Sequence, residues 1–412
     1  MFKGENIILG VASSIAAYKS ANIASALVKK GCNVNVLMTR NATNFIHPLT
    51  FEELTKNKCI TDTFDRNVQY NVAHISLAAS ADAVLIAPAS ANVIGKLANG
   101  IADDMLTTTV MACKCPVIIS PAMNTNMFEN PIVQDNLARL EHYGYIIVPP
   151  AEGRLACGTV GKGKLPDEQV LLDYLERALS DKQDFKGKRV LVTAGPTQES
   201  IDPVRYITNH SSGKMGYAVA RQAMLRGAEV TLVSGRVSLA PVPFVRMINV
   251  TTAEEMYNAV TAEFDDTDIV IKAAAVADFR PKQIAQDKLK KADGMESIPL
   301  EPTRDILKSL GQRKKEQFIC GFSMETQNMN ENSRKKLESK NLDMIVCNNL
   351  KVEGAGFQGD TNVVTIIDKT NTTELGIMSK TEVADKILDR IAELNNRRLF
   401  YGLDDFYAGE NN

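Results

Sequence analysis

The sequence predicts two α/β domains, each a parallel β-sheet covered by helices on both faces. Three observations carry this expectation. Short, nearly continuous apolar runs alternate with stretches of helical spacing, the alternation stops at a polar segment over 180–189, and it then starts again. At 412 residues the chain is also too long for one ordinary core.

In the first half the strand-like runs are NIILGVA (6–12), NVNVLMT (33–39), AVLIAP (83–88), PVIIS (116–120) and YIIVP (145–149). Between them, positions such as Ala16, Ile23 and Leu27 recur at helical spacing, and a helix over 167–179 closes this half. SDKQDFKGKR (180–189) reads as a linker. The pattern resumes with RVLVTAG, EVTLVSG, VRMINV, DIVIKAAA, QFICGFS and LDMIVCN, a second parallel-sheet domain ending in a helix over 379–396. Residues 397–412 are polar and acidic with little to bury, which predicts a mobile tail. Each first strand feeds a polar turn and a helix, a Rossmann-like arrangement whose ligands sit at the carboxyl ends of the strands. The dinucleotide fingerprint GxGxxG is absent after both, where GVASSI and GPTQES stand, and this argues against a nicotinamide cofactor.

Bulk composition narrows the function classes. Hydrophobic content of 44%, charged content of 23% and no apolar run of membrane-spanning length describe a globular protein. A net charge of −2 argues against a sequence-independent grip on nucleic acid. Seven cysteines without paired spacing fit a reducing cytoplasm, and the lone Cys113-x-Cys115 reads as packing rather than metal binding. The start, MFKGENIILGVASSIAA, imitates a signal peptide, but Glu5 and Asn6 interrupt it and a strand, turn and helix explain it better.

Several turns of the first half carry chemistry. Ser13 and Ser14 in GVASSIAAYK open a helix, where backbone N–H groups suit an anion; plain N-capping explains them equally well. APASANVIGKLANGIADDMLTT (87–108) places Ser90 and Asn92 near a cap and follows them with small residues that admit a flat ligand or a close helix contact. PAMNTNMF (121–128) offers Asn124 as a neutral hydrogen-bonding group. Cys157 lies in the glycine-rich loop EGRLACGTVGKGKLPD, the setting of a reactive thiol or acid rather than of a core cysteine. His74 in NVAHISLA is, on composition alone, more often structural than catalytic.

Taken together and in order, GVASSIAAYK, His74, APASANVIGKLANGIADDMLTT, PAMNTNM and ACGTVGKGKL resemble the flavin-containing cysteine decarboxylases, which have a flavodoxin-like fold, and within them phosphopantothenoylcysteine decarboxylase. The resemblance covers 1–180. It departs from the family at Ser13-Ser14, where glycines are usual, and at Phe128, where Trp is commoner. It implies FMN, with contacts at Ser13, Ser14, Thr39, Ser90 and Asn92. It also implies oxidation of the substrate's cysteine thiol to a thioaldehyde, loss of carbon dioxide through a delocalised carbanion, and return of the electrons to give 4'-phosphopantetheine. On that basis His74 assists the oxidative decarboxylation, Asn124 binds the substrate carboxylate and Cys157 supplies a proton in the reduction.

In the second half TNHSSGKMG (208–216) imitates a P-loop, but that loop needs Gly at Thr208 and Ser or Thr at Met215. LVTAGPTQESIDPVRYITNHSSGKMGYAVA, AAVADFRPKQIAQDKLKK, GFSMET and KKLESKNLDMIVCN instead resemble phosphopantothenate–cysteine ligase over 187–396, with Ser200 where proline is usual. The whole chain is thus similar to the bifunctional family of coenzyme A biosynthesis. The resemblance implies that 4'-phosphopantothenate is activated by CTP to an acyl-cytidylate, with pyrophosphate leaving, and then joined to L-cysteine. Asn209 would hold the acyl-nucleotide and Lys288 would meet its phosphates. Lys336 and Lys340 would add charge there, whereas Lys290 reads as a solvated lysine. Asp278 would hold the nucleotide directly or through magnesium, and Phe322 would pack on the cytosine. Ala273, Ala274, Asp305 and Ile306 complete the expected nucleotide site; no residue is singled out as a metal ligand.

Two other readings keep the fold: a flavin prenyltransferase, and a flavin-binding regulatory subunit without activity. Cys157 in ACGTVGKGKL and the attached ligase-like half oppose the first; His74, Asn124 and Cys157 together, without a long acidic tail, oppose the second. The resemblance further implies a cytoplasmic homo-oligomer, with trimeric decarboxylase units sharing flavin sites and dimeric ligase units.

Overall fold

The computed structural model describes residues 2, 4–63, 73–156, 158–290, 297–324, 329–348 and 359–401. The chain divides into two units, Met1–Ser180 and Asp181–Asn412. Among the described residues no helix is long and apolar enough to cross a membrane.

The first unit is a five-stranded sheet of β1 (Asn6–Val11), β2 (Asn33–Met38), β3 (Ala83–Ala89), β4 (Val117–Pro121) and β5 (Ile146–Ile147), in the order β2-β1-β3-β4-β5. Every pairing is parallel. This is the doubly wound flavodoxin-like order, with its switch point between β1 and β3. The strands are buried on both sides because helices cover both. On one face lie α1 (Ser20–Lys29), α2 (Pro48–Thr55) and, from the end of the unit, a helix over Glu168–Ala178. On the other lie α4 (Ala91–Ala98), α5 (Met105–Ala112) and α7 (Pro131–His142), which follow α3 (Ala73–Ser80) and enclose the short α6 (Thr125–Phe128). The Glu168–Ala178 helix is α8. Cys113 and Cys115 pack against the second face, as expected of a packing pair. The glycine-rich loop departs from expectation. It folds back as an antiparallel hairpin of β6 (Ala151–Arg154) and β7 (Val160–Lys164), and in β7 the four residues after Val160, of low strand propensity, are held by their partner rather than by their own preference. Cys157, between β6 and β7 in sequence, lies outside the described residues.

The second unit corrects the expectation of an all-parallel sheet. Its six expected strands are present: β8 (Arg189–Ala194), β11 (Glu229–Ser234), β12 (Arg246–Asn249), β13 (Ile269–Lys272), β16 (Phe318–Met324) and β17 (Met344–Asn348). Short hairpins, β9 (Gln198–Ser200) with β10 (Tyr206–Thr208) and β14 (Phe279–Pro281) with β15 (Leu300–Pro302), lie between them in the chain. A further two-residue pair joins β18 (Thr361–Asn362) to β21 (Met378–Ser379). The sheet then continues through β19 (Val364–Asp368) and β20 (Thr372–Glu374), both antiparallel, giving the order β12-β11-β8-β13-β16-β17-β19-β20. Asp368 closes that terminal hairpin by accepting from the N–H groups of Thr370 and Asn371.

Helices α9 (Lys214–Leu225) and α13 (Lys380–Tyr401) cover one face of this sheet. Helices α10 (Ala253–Glu263), α11 (Ile306–Arg313) and α12 (Met329–Ser339) cover the other. The expected linker is partly absorbed into this unit: Phe185 is 2% exposed, and Asp184 pairs with the buried Arg226, which also reaches Asp389 at 2.9 Å. Helix α13 continues past 396 to Tyr401, taking in the first residues of the expected tail; 402–412 lie outside the described residues.

Candidate active sites

In the first unit the polar turns after β1, β3 and β4 converge on a cavity of about 630 Å³, the size of a small-ligand site. Ser13, Ser14, Ser90 and Asn124 line it. Three of them also stabilise the backbone. The Ser14 hydroxyl accepts from Ala16 N at 3.2 Å, Ser90 Oγ from Val93 N at 3.5 Å, and Asn124 Oδ1 from Asn126 N at 2.9 Å. The cap reading of the serines is therefore true locally, and their remaining lone pairs and hydroxyl protons still face the cavity. Asn92 is exposed and not among the lining residues, nor is His74, the partly buried second residue of α3.

The wall opposite the turns is the hairpin β6–β7, contributing Arg154, Leu155, Ala156, Gly163 and Lys164. Its seat is tight. Met123 N donates to Gly163 O at 3.0 Å, and a Cβ on Gly163 would lie 2.2 Å from Met123 O, with φ at +133° besides. Only glycine lets the hairpin press on the turn that carries Asn124.

The residues present fit a flavin. Thr39, which is not among the lining residues, stands at the carboxyl end of β2, beside that of β1, and its buried hydroxyl has no hydrogen-bond partner among the described residues. A buried hydroxyl without a partner costs stability unless a ligand completes it. Apolar walls with a few neutral hydrogen-bonding groups suit a ring system whose edge is polar, and Lys19, Arg154 and Lys164 among the lining residues suit the phosphate such a group carries.

The second unit holds a cavity of about 450 Å³ at the carboxyl ends of β13, β16 and β17. On the α9 side it is lined by Asn209 and by Ser211 to Gly216. Asn209 Nδ2 donates to Ala275 O at 2.9 Å, tying the turn to the loop after β13. Ser211 Oγ accepts from Gly213 N at 3.3 Å. Gly213, at φ +79°, is the N-cap of α9 and brings no side-chain cap. The N-cap itself thus brings no side-chain bond, and the start of this 12-residue helix, Gly213 to Gly216, lines the cavity. Gly216 allows this helix to sit close, since a Cβ there would lie 2.5 Å from that of Ala194.

Of the expected nucleotide residues, Ala273, Ala274, Asp278, Asp305, Ile306, Phe322, Lys336 and Lys340 all line this cavity. Lys288 does not; it is exposed, on a segment whose Leu289 N donates to Asp202 Oδ2 at 3.2 Å. Asp305 caps α11 through Lys308 N and pairs with Lys340 at 2.8 Å. Burial would raise its carboxyl, but Lys340 and the Lys308 N–H outweigh this and hold it below the usual range. Three lysines were not anticipated. Lys214 opens α9 and pairs with Asp360 at 2.7 Å. Lys380, 6% exposed, donates to Gly359 O at 2.6 Å, and burial followed by Lys214 pushes its ammonium down. Lys272 ends β13, and burial pushes it down to about 8, with Lys340 adding and Asp305 and Asp278 opposing. Its signal was visible in DIVIKAAA: a charge at the carboxyl end of an otherwise apolar buried strand. Among the described residues no group of three or more His, Cys, Asp or Glu could hold a metal ion.

Comparison with known proteins bears on both sites. Residues 1–180 match the family described as "Flavoprotein", and residues 185–394 match "DNA/pantothenate metabolism flavoprotein C-terminal domain". The Coenzyme A biosynthesis bifunctional protein CoaBC of Bacillus subtilis (strain 168) is 49% identical over 401 residues, 96% of this chain and 99% of that one. A Cysteine/Cysteine sulfinic acid decarboxylase from an unknown prokaryotic organism is 44% identical over 356 residues, 85% of this chain and 99% of that one. The crystal structure of the C-terminal domain of a CoaBC protein shares 44% identity, covering 52% of this chain and 98% of its own, with a TM-score of 0.45. The chain belongs to the bifunctional phosphopantothenoylcysteine decarboxylase and phosphopantothenate–cysteine ligase family of coenzyme A biosynthesis.

Proposed function

We propose that the second unit joins L-cysteine to 4'-phosphopantothenate through an acyl-cytidylate made from CTP, and that the first unit decarboxylates the product with FMN to 4'-phosphopantetheine, in the cytoplasm. The observation that carries the first step is the open start of α9 beside Asn209. Transfer of the cytidylyl group gathers negative charge on the phosphates, and the uncapped N–H groups with Lys214 and Lys380 answer that charge without rearrangement. Asn209, held by Ala275 O, presents a neutral amide to the acyl-nucleotide. Lys288 acts from outside the cavity rim, Lys336 from α12 and Lys340 from the residue just after it. Magnesium enters with the nucleotide, bound mainly by its phosphates.

In the first unit Ser13, Ser14, Ser90 and Thr39 hold the flavin, which when bound accepts and later returns the electrons of the oxidative decarboxylation. Asn124, fixed by its bond from Asn126 N, binds the substrate carboxylate. The hairpin β6–β7 walls the pocket with Arg154, Leu155 and Ala156 and excludes water; Cys157, next in the chain, is the proton donor in this reading. Ile15, Tyr18 and Met127 line the pocket and are exposed in the single chain. That supports a site completed between subunits of a trimer, with His74 supplied by a neighbour; the second units pair as dimers.

Mass spectrometry after adding 4'-phosphopantothenate, cysteine, CTP and magnesium tests the proposal. It expects phosphopantothenoylcysteine, then 4'-phosphopantetheine. Decarboxylation of free cysteine without any 4'-phosphopantetheine would instead favour the activity named for the 44% identical relative.

A further inference from the structure

We infer that Lys272 reads the base of the nucleotide: its ammonium donates to the carbonyl and ring-nitrogen edge of cytosine, on the face of the sheet opposite the phosphate-binding turn. This rests on the CTP-dependent ligase reading above and deepens it.

The placement follows from the alternation of β13. Ile269 and Ile271 belong to the apolar cluster shared with α9 and α13, whereas Val270 belongs to the cluster shared with α10, α11 and α12. Side chains two apart share a face, so Lys272 points with Val270 toward α11 and α12. It pairs in register with Thr193 of β8 and Gly321 of β16. The chain order of the strands reverses between β8 and β13, so Lys272 ends a strand at the topological switch point, where nucleotides lie in such sheets. The open end of α9, with Lys214, is on the other face. A nucleotide anchored there by its phosphates carries its base across the strand ends to the α11–α12 side.

What waits on that side suits a base better than a phosphate chain. Ile306, Leu307, Leu342 and Ile345 form apolar walls of the cavity. Lys340 is already engaged by Asp305 at 2.8 Å, so its charge is largely answered. Lys272, by contrast, makes no ion pair or hydrogen bond among the described residues, although Asp305, Lys340 and Asp278 all act on its charge. An ammonium held free of direct partners in a partly buried site is completed by a ligand acceptor. Cytosine presents two adjacent acceptors, O2 and N3, and beside them an amino donor that suits a carboxylate oxygen such as that of Asp305. Uracil reverses the amino position, and adenine lacks the second acceptor. The ring of Phe322 packs on the α9 side and is not needed for this recognition.

The test measures kcat/KM for CTP, ATP and UTP by pyrophosphate release from the full chain with 4'-phosphopantothenate, for the wild type, Lys272→Met and Phe322→Leu. Inhibition by added pyrophosphate is followed in each. Lys272→Met is expected to lose about 10- to 100-fold with CTP, the worth of one hydrogen bond to a charged group. Its rates with ATP change by under about threefold, so the preference for CTP collapses. Pyrophosphate inhibition stays at the wild-type level, which also shows that the variant is folded. Equal losses with all three nucleotides, together with weaker pyrophosphate inhibition, would place Lys272 on the phosphates and overturn the inference. So would a preference lost in Phe322→Leu and kept in Lys272→Met. A wild type that releases no pyrophosphate with any nucleotide overturns the ligase reading itself, a result distinct from these.

Discussion

The two units share an architecture and differ in how their strand ends are furnished. In both, a run of parallel strands reverses its chain order beside the first strand, and the cavity lies at the carboxyl ends of these strands. In the first, the turns bring hydroxyls, an amide and apolar side chains, and the polar groups are mostly occupied in capping short helices. In the second, the opening helix is uncapped and five lysines face two aspartates across the cavity. The first site suits a flat ring system, with Lys19, Arg154 and Lys164 in its lining available to a phosphate. The second gathers positive charge that suits phosphate groups. The difference teaches that the fold sets where a ligand sits, while the unsatisfied groups at the strand ends set which ligand it is.

That contrast is broken most sharply by Asn209→Asp. It removes the donor to Ala275 O and sets a carboxylate against both that carbonyl and the acyl-nucleotide. Amide formation is expected to fall by about 100-fold or more, the scale for losing a preorganised group at developing charge. Quenched-flow measurement of pyrophosphate and amide reads it. Decarboxylation of supplied phosphopantothenoylcysteine stays unchanged.

Gly163→Ala is the counterpart in the first unit. A methyl group 2.2 Å from Met123 O lifts the hairpin from the turn carrying Asn124. Decarboxylation is expected to drop by about tenfold to 100-fold, because a displacement near 1 Å in a site costs about that much. Carbon dioxide release checks it, with ligase activity as the internal control.

Lys272→Met separates stability from function. The folded state lowers the Lys272 ammonium to about 8, so carrying the charge costs stability at every pH below that. The cost shrinks as pH rises through 8 and disappears near the unfolded value of 10.5. Removing the amine is expected to stabilise the second unit by about 1–3 kcal/mol at pH 7, and by little above pH 10. Urea unfolding at the two pH values reads this. In the wild type, the same titration predicts that preference for CTP weakens as pH rises past about 8. The smallest effect expected is that of Ser90→Ala. It removes the long 3.5 Å cap of α4 and costs about 0.5–1 kcal/mol, read as a small fall in melting temperature with weaker flavin retention.

Much of this was legible in the sequence, and the exceptions have physical causes. The eleven apolar runs became the strands of two sheets because burial on both faces leaves no polar alternation to confuse the signal. β19 and β20 were missed because antiparallel pairing depends on the partner strand and on the turn at Asp368 rather than on a local pattern. The hairpin β6–β7 was missed for the same reason, its glycines reading as a loop until Met123 and Thr125 supply the surface it packs on. In the second site the turn residues were found through their order along the chain. Lys214 and Lys380 were missed because their role depends on helices 166 residues apart in sequence being packed together, which no local stretch reveals. Lys288 was singled out by its motif and stands outside the cavity, since the segment carrying it is tied to Asp202 and Arg205.

The most direct test of the account sets Asn209→Asp and Gly163→Ala against both reactions in the same full-length protein. One assay supplies 4'-phosphopantothenate, cysteine, CTP and magnesium and follows the amide; the other supplies phosphopantothenoylcysteine and follows carbon dioxide. The account predicts a crossed result: Asn209→Asp loses the first reaction and keeps the second, and Gly163→Ala does the reverse. If either substitution abolishes both reactions in a protein that still binds its flavin, or if neither impairs its own, the assignment of one chemistry to each cavity is wrong.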